Sequence, residues 1–304
     1  MPYRHPGQEF LSRYGKLRSE TDVLRYVEFL RQQAQLSDTP PIDLCRIYQH
    51  FGMPEPLRAP LDEQQGILVD SSTGIILIKE DDPLVRQRFT EGHELMELLF
   101  DAQDQAGTDS SLPHWSGDRK ERLCDQGAAD LLMPQSSFAP CLQQKGISLA
   151  TARSLAALYE TSLLATLVRM MQYGSGAHAL VLWHPALKPT EIKTLHHSDC
   201  QPQKKLRIWW RTQTEGWSGG FIPKDKSIPH GSLISQTYAS GQPQTGQETI
   251  DLGGGAIACQ VEAMPIRLGN KPCVVSLLHL LEQDQLVVHQ RNFARLVKAR
   301  KTDL

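Results

Sequence analysis

The sequence predicts an α+β chain made of two parts in series, on three observations. Apolar residues recur at helical spacing through most of the first 173 positions, interrupted by one pair of short strand-like runs. Beyond Gly174-Ser175-Gly176, which reads as a hinge, the runs become β-rich. A length of 304 residues leaves ample chain for a core in each part. The expected divisions are residues 1–138, a helical segment 139–174, and 175–304.

Asp22 to Gln35 and Ile42 to Phe51 are the first two helical patterns, split by Asp38-Thr39-Pro40-Pro41. Gly66 to Val69 and Gly74 to Ile78 follow as strands. Asp81-Asp82-Pro83 then starts a helix running to Phe100, with an acidic cap ahead of a first-turn proline. The polar loop Asp101 to Asp118 is long enough to form a rim or lid. It carries His114 and Trp115, which either touch a substrate or stand idle on the surface. Another helix follows from Lys120 and is stopped by Pro134. Leu123, Gly127, Ala128, Leu131 and Leu132 form its apolar stripe, and small residues at Gly127, Ala128 and Ala129 permit close approach of a second helix. Ser148 and Ser162 read as N-caps of two further helices with a helix-turn-helix layout. Leu163, Leu164, Ala165, Leu167 and Val168 make the second of these apolar, with Arg169 its only basic residue, which favours packing over DNA reading. The last part shows strands at Ala179–Trp183, Leu206–Arg211, Cys259–Leu268 and Pro272–Leu280. A helix spans Ser227 to Ala239, turns fall at Gly241 and Gly253-Gly254-Gly255, and Leu268-Gly269-Asn270-Lys271 turns a hairpin.

Chemistry concentrates in the helix after Pro83. It holds His93-Glu94-Leu95-Met96-Glu97, one letter from the His-Glu-x-x-His signature of zinc proteases. Residues four apart lie one above the other on a helix, so His93 and Glu97 can grip one ion together. Glu94, beside them, can take the proton of an attacking water. Glu121, near the start of the following helix, is placed to supply a third ligand through oxygen. The competing reading is an amphipathic helix with a solvated acidic face. Cys124 lies three residues past Glu121 and is either a thiolate switch on the open metal position or a small buried residue between helices.

Arg86-Gln87-Arg88-Phe89-Thr90, leading into His93-Glu94-Leu95, and Glu121 with Ala128-Ala129 and Leu131-Leu132-Met133-Pro134 together resemble the ImmA/IrrE family of zincin metallopeptidases. The two strands before the helix fit the same family. The likeness covers residues 25–175 by motif. It implies a zincin-like metallopeptidase domain with helix-turn-helix-like helices, and a protein substrate, typically a helix-turn-helix repressor cut in a stress, DNA-damage or phage-defence response. The family usually has a histidine where this chain has Glu97. Two carboxylate ligands would neutralise a dication, making the centre a weaker Lewis acid. They admit Mn2+ or Fe2+ beside Zn2+. The order of strands and helices in the last part resembles a GAF-like sensor domain.

Charge is uneven. Positions 174–304 hold 15 Lys and Arg against 10 Asp and Glu, a net of +5, while the first 173 hold 17 against 24, a net of −7. This hints that the C-terminal part meets a polyanion. Within it, Lys205, Arg207, Trp209 and Arg211 share one face of a strand, either a platform for single-stranded DNA or a solvated basic face over a core of Leu206, Ile208 and Trp210. Basic residues of the tail, from His289 to Lys301, read as a solvated helix face. No apolar run reaches membrane-spanning length, and the first 20 residues are polar, so neither a membrane span nor a secretory signal is expected. Cys45, Cys124, Cys141, Cys200, Cys259 and Cys273 lack paired spacing and suit a reducing cytoplasm.

The expected function is a cytoplasmic metalloendopeptidase under a regulatory sensor domain, with the Gly74–Ile78 strand holding substrate by edge addition. The alternatives are a non-catalytic regulator that binds DNA or a repressor through a drifted site, and a ligand-sensing module whose metal is structural.

Overall fold

The computed structural model describes residues 2–107, 113, 115–194, 203–253 and 255–281. His114, Cys200, Gly254 and the expected tail helix His289–Lys301 lie outside them. The chain forms two compact units, Met1–Lys145 with Ala152–Arg169, and Gly146–Thr151 with Met170–Leu304.

The first unit begins with three helices, α1 (Pro6–Tyr14), α2 (Thr21–Gln33) and α3 (Cys45–Phe51). α1 is not among the expected helices; its short amphipathic turn is fixed by burying Phe10 against Tyr26 and Phe29. Gly7 is required there: a Cβ on it would stand 2.2 Å from the Leu98 carbonyl oxygen of the long central helix. A three-stranded sheet follows, β1 (Leu57–Ala59), β2 (Gly66–Asp70) and β3 (Ile75–Lys79), in the order β1-β3-β2. β1 runs parallel to β3 and β2 antiparallel to it. This corrects the expected docking strand. β3 is bonded on both sides, with Ile76 and Ile78 buried, so it has no edge for a peptide. The edges belong to β1 and β2.

Next come α4 (Leu84–Gln105), α5 (Gly117–Leu132), α6 (Gln135–Lys145), α7 (Leu149–Tyr159) and α8 (Leu163–Tyr173). α4 starts one residue later than expected. Pro83 is its N-cap, no side chain caps it, and Asp82 instead accepts from Arg86 at 3.2 Å. Trp115 does not face substrate either, being buried against Phe100 with the Arg119 guanidinium over its ring. Ser148 and Ser162 accept from the backbone N–H groups of Thr151 and Ala165, three residues on, as caps do. Arg169 is buried, donating to the Met133 carbonyl and pairing with Asp130. It is occupied in packing.

The second unit is built on a five-stranded sheet, all antiparallel, of β4 (His178–Ala186), β5 (Lys205–Gln213), β6 (Gln244–Asp251), β7 (Ala256–Leu268) and β8 (Lys271–Leu280), in the order β5-β4-β8-β7-β6. Among the described residues two helices accompany it, α9 (Pro189–Thr194) and α10 (Leu233–Ser240). α10 is shorter than expected because Ser232 caps it, accepting from the Ser235 N–H. Ile234 buries into a core with Val181, Trp183, Ile208, Val261 and Leu278. Gly269, at φ +57°, makes the two-residue turn between β7 and β8.

Candidate metal centre

α4 and α5 touch where both are small. A Cβ on Gly127 would stand 2.5 Å from the Met96 sulfur, and one on Gly92 3.2 Å from the Ala128 Cβ. That approach brings His93 and Glu97 of α4 face to face with Glu121, Cys124 and Asp125 of α5. His93 Nε2 lies 3.9 Å from Glu97 Oε1 and 3.6 Å from Glu121 Oε2. Cys124, fully buried, donates its thiol to Glu97 Oε1 at 3.3 Å.

The sequence reading missed Asp125. Its Oδ1 stands 3.0 Å from His93 Nδ1. An ionised Asp125 puts the imidazole proton on Nδ1 and leaves the Nε2 lone pair facing the carboxylates, as second partners of metal-binding histidines do. The available signal was its place one turn after Glu121. Burial lowers the pKa of His93, but the Asp125 hydrogen bond and charge, with Glu94 and Glu121, outweigh it and raise it overall.

Glu94 lies at the foot of the open strand. Burial, with Glu97 nearby, pushes its carboxyl up to about 7, against the pull of His93 and of the Leu68 N–H that it accepts. Gly66 makes this contact possible, since a Cβ there would meet Thr90 Cγ2 at 2.4 Å and Glu94 Oε1 at 2.7 Å. Burial also pushes the Cys124 thiol up, reinforced by Glu97. A cleft of about 840 Å³ opens over the group, bounded by Gln64 to Leu68 and by Asp101, Asp104 and Lys120.

The donors suit a divalent cation. His93, Glu97 and Cys124 offer ligand atoms all within 4.8 Å of one another, and Glu121, outside that compact group, brings an oxygen to 3.6 Å from His93 Nε2. Among the described cleft residues the fixed cation is Lys120, which is paired with Asp104. Carboxylates clustered around a half-buried imidazole repel one another unless a cation joins them.

The basic strand of the second unit is only partly as expected. A bulge between Leu182 and Trp183 breaks the register opposite Trp209. Arg207, expected on an exposed face, is 1% exposed: it pairs with Glu191 at 3.0 Å and donates to the carbonyls of Ala186 and Asp225. It is a structural cation, unable to reach a polyanion. Trp209 is 36% exposed, with its ring against His184 (centroids 4.8 Å apart) and Lys271 Nζ 5.4 Å above it. Arg211 lies over the ring of Phe221 at 5.2 Å. Lys205 is exposed and borders a pocket with Lys188, Lys226 and His230.

Residues 57–171, which include His93, Glu94, Glu97, Glu121, Cys124 and Asp125, match the sequence model of the IrrE N-terminal-like domain, Peptidase_M78. That match points to metallopeptidase chemistry in general and to a zincin-like fold for the stretch. A comparison with curated proteins gives no match. Among solved structures, a Mycobacterium tuberculosis transcriptional regulator is similar in fold, with a TM-score of 0.57 at 12% identity, over 91% of this chain and 81% of that one. No helix among the described residues is long and apolar enough to cross a membrane.

Proposed function

We propose, from the IrrE-like domain match, that the chain is a metal-dependent endopeptidase acting on a protein, with a helix-turn-helix repressor as the substrate the family resemblance implies. The observation that carries this reading is that His93, Glu97, Glu121 and Glu94 converge in one cleft beneath an open strand edge. His93, Glu97 and Glu121 hold the ion, Zn2+ by family and Mn2+ or Fe2+ by the two carboxylates. When bound, the ion polarises the scissile carbonyl and acidifies the attacking water.

This chain's own residues do the rest. The free edge of β2 takes the substrate as an added strand, so backbone bonds fix its direction across the cleft. Leu68 N–H holds one oxygen of Glu94, leaving the other for the water proton and its delivery to the leaving amine. Burial keeps that carboxyl basic enough to accept a proton near neutral pH. Asp125 fixes the ring of His93, which is positioning and not chemistry.

The second unit serves as a GAF-like sensor in this proposal. Trp209, with Lys271, Arg211 and Lys205, offers stacking and charge to single-stranded DNA; Arg207 is withdrawn from that role. Incubating the protein with repressors encoded beside its gene, with and without chelator, tests the main reading. Chelator-sensitive cleavage that Glu94→Gln abolishes supports it. Cleavage undiminished in Glu94→Gln refutes the assignment of the base. The second reading, a non-catalytic regulator, is favoured by Glu97 in the histidine position, and absence of cleavage together with tight repressor or DNA binding would select it.

A further inference from the structure

We propose that Cys124 is itself a metal ligand, making with His93, Glu97 and Glu121 a four-donor shell that closes the centre in the resting protein. The proposal rests on the metal-centre reading above and adds to it how that centre is kept silent.

Spacing carries the proposal. Around a tetrahedral ion with bonds of about 2.0 Å to N or O and about 2.3 Å to S, neighbouring donors stand roughly 3.3–3.6 Å apart. Cys124 Sγ is 3.3 Å from Glu97 Oε1, and His93 Nε2 is 3.6 Å from Glu121 Oε2 and 3.9 Å from Glu97 Oε1. The sulfur therefore already stands at a coordination edge from Glu97, and the compact donor set of the site is His93, Glu97 and Cys124; Glu121, outside that set and with its side chain 69% exposed, completes the shell by turning in toward the ion. A buried cysteine that merely fills space between helices turns to apolar neighbours. This one turns its thiol to a carboxylate that itself faces an imidazole. When the metal–sulfur bond forms, the sulfur supplies the electron pair and the thiol proton leaves to solvent.

Four protein donors are the number of a closed, structural site, whereas a catalytic site keeps one position open. The donor able to withdraw is Glu121, whose side chain is 69% exposed. Cys124 is held inside the α4–α5 contact and stays. Glu121 then ligates the ion in the resting state, and peptide hydrolysis begins only once it has swung out and left His93, Glu97 and Cys124 to hold the ion.

The test uses the full chain, stripped with chelator and reloaded with one equivalent of cobalt(II). The unmodified protein should show a thiolate-to-cobalt charge-transfer band in the near ultraviolet. Cys124→Ser should lose that band while metal analysis still finds cobalt bound. X-ray absorption of the unmodified zinc form should show one sulfur at about 2.3 Å among nitrogen and oxygen scatterers, and this measurement decides alone if the serine variant fails to fold. Stoichiometric metal with only nitrogen and oxygen around it would overturn the Cys124 assignment and leave the metal centre standing. A band that survives in Cys124→Ser belongs to another cysteine and also overturns it. Failure to retain either metal would bring down the centre and this proposal together.

Discussion

Glu94 gives the sharpest quantitative prediction because its carboxyl is held at about 7 against an ordinary 4.5. A raised acid pKa stabilises the folded state fully below 4.5, where both states are protonated, and that contribution is lost as pH rises through 7. The gap of 2.5 units, at 1.36 kcal/mol each, amounts to about 3 kcal/mol. Glu94→Gln cannot ionise, and its amide oxygen can still accept from Leu68 N–H. In metal-free protein the variant should therefore match the parent near pH 4.5 and exceed it by about 3 kcal/mol at pH 8. With a urea slope of about 2 kcal/mol/M, the unfolding midpoint of this unit should rise by roughly 1–1.5 M at pH 8. The assay is urea unfolding of chelator-treated parent and variant at both pH values, followed by helical circular dichroism, to which the helix-rich first unit contributes most. Adding metal should narrow the difference, because a nearby dication lowers the carboxyl pKa. A stability difference that is the same at both pH values would refute the burial of Glu94 as an acid. The pattern is that of a catalytic group whose chemistry costs the fold stability.

Other changes probe the remaining contacts. His93→Ala and Glu97→Ala should each lower metal affinity steeply, read by metal analysis after dialysis; stoichiometric metal in either variant would remove that residue from the shell. Glu97→His should keep metal and move the pH optimum of cleavage downward, since the centre gains positive charge and pulls the Glu94 carboxyl down. Gly66→Ala should cost about 1–3 kcal/mol through its clash with Thr90 and Glu94, and should reduce cleavage more than metal content. Trp209→Ala should weaken binding of a single-stranded oligonucleotide by about 1–3 kcal/mol, and Lys205→Ala should flatten its salt dependence. Absence of binding even at low salt would leave a small-molecule sensor.

The sequence by itself was enough for features encoded locally. The helical repeat around His93-Glu94-x-x-Glu97, the stripe Leu123, Ala128, Leu131, the serine caps at 148 and 162 and the Gly269 turn each follow from residues within a few positions of one another. Two kinds of feature needed the tertiary structure. One is strand order: β2 and β3 carry similar apolar runs, and only the pairing of β1 with β3 shows which keeps a free edge. β6, Gln244 to Asp251, went unseen because its residues are almost all polar and it is held by backbone bonds to β7. The other kind is the fate of individual charges. Arg207 and Trp209 looked alike by alternation, but a bulge and the carboxylate of Glu191 bury the first and leave the second exposed. Asp125 matters because α5 crosses α4 at glycine and alanine, so its carboxylate reaches a ring 32 positions earlier. Local periodicity fixes which face of an element a residue occupies, while the partner it meets there is set by helix crossing and strand pairing that no short window of sequence contains.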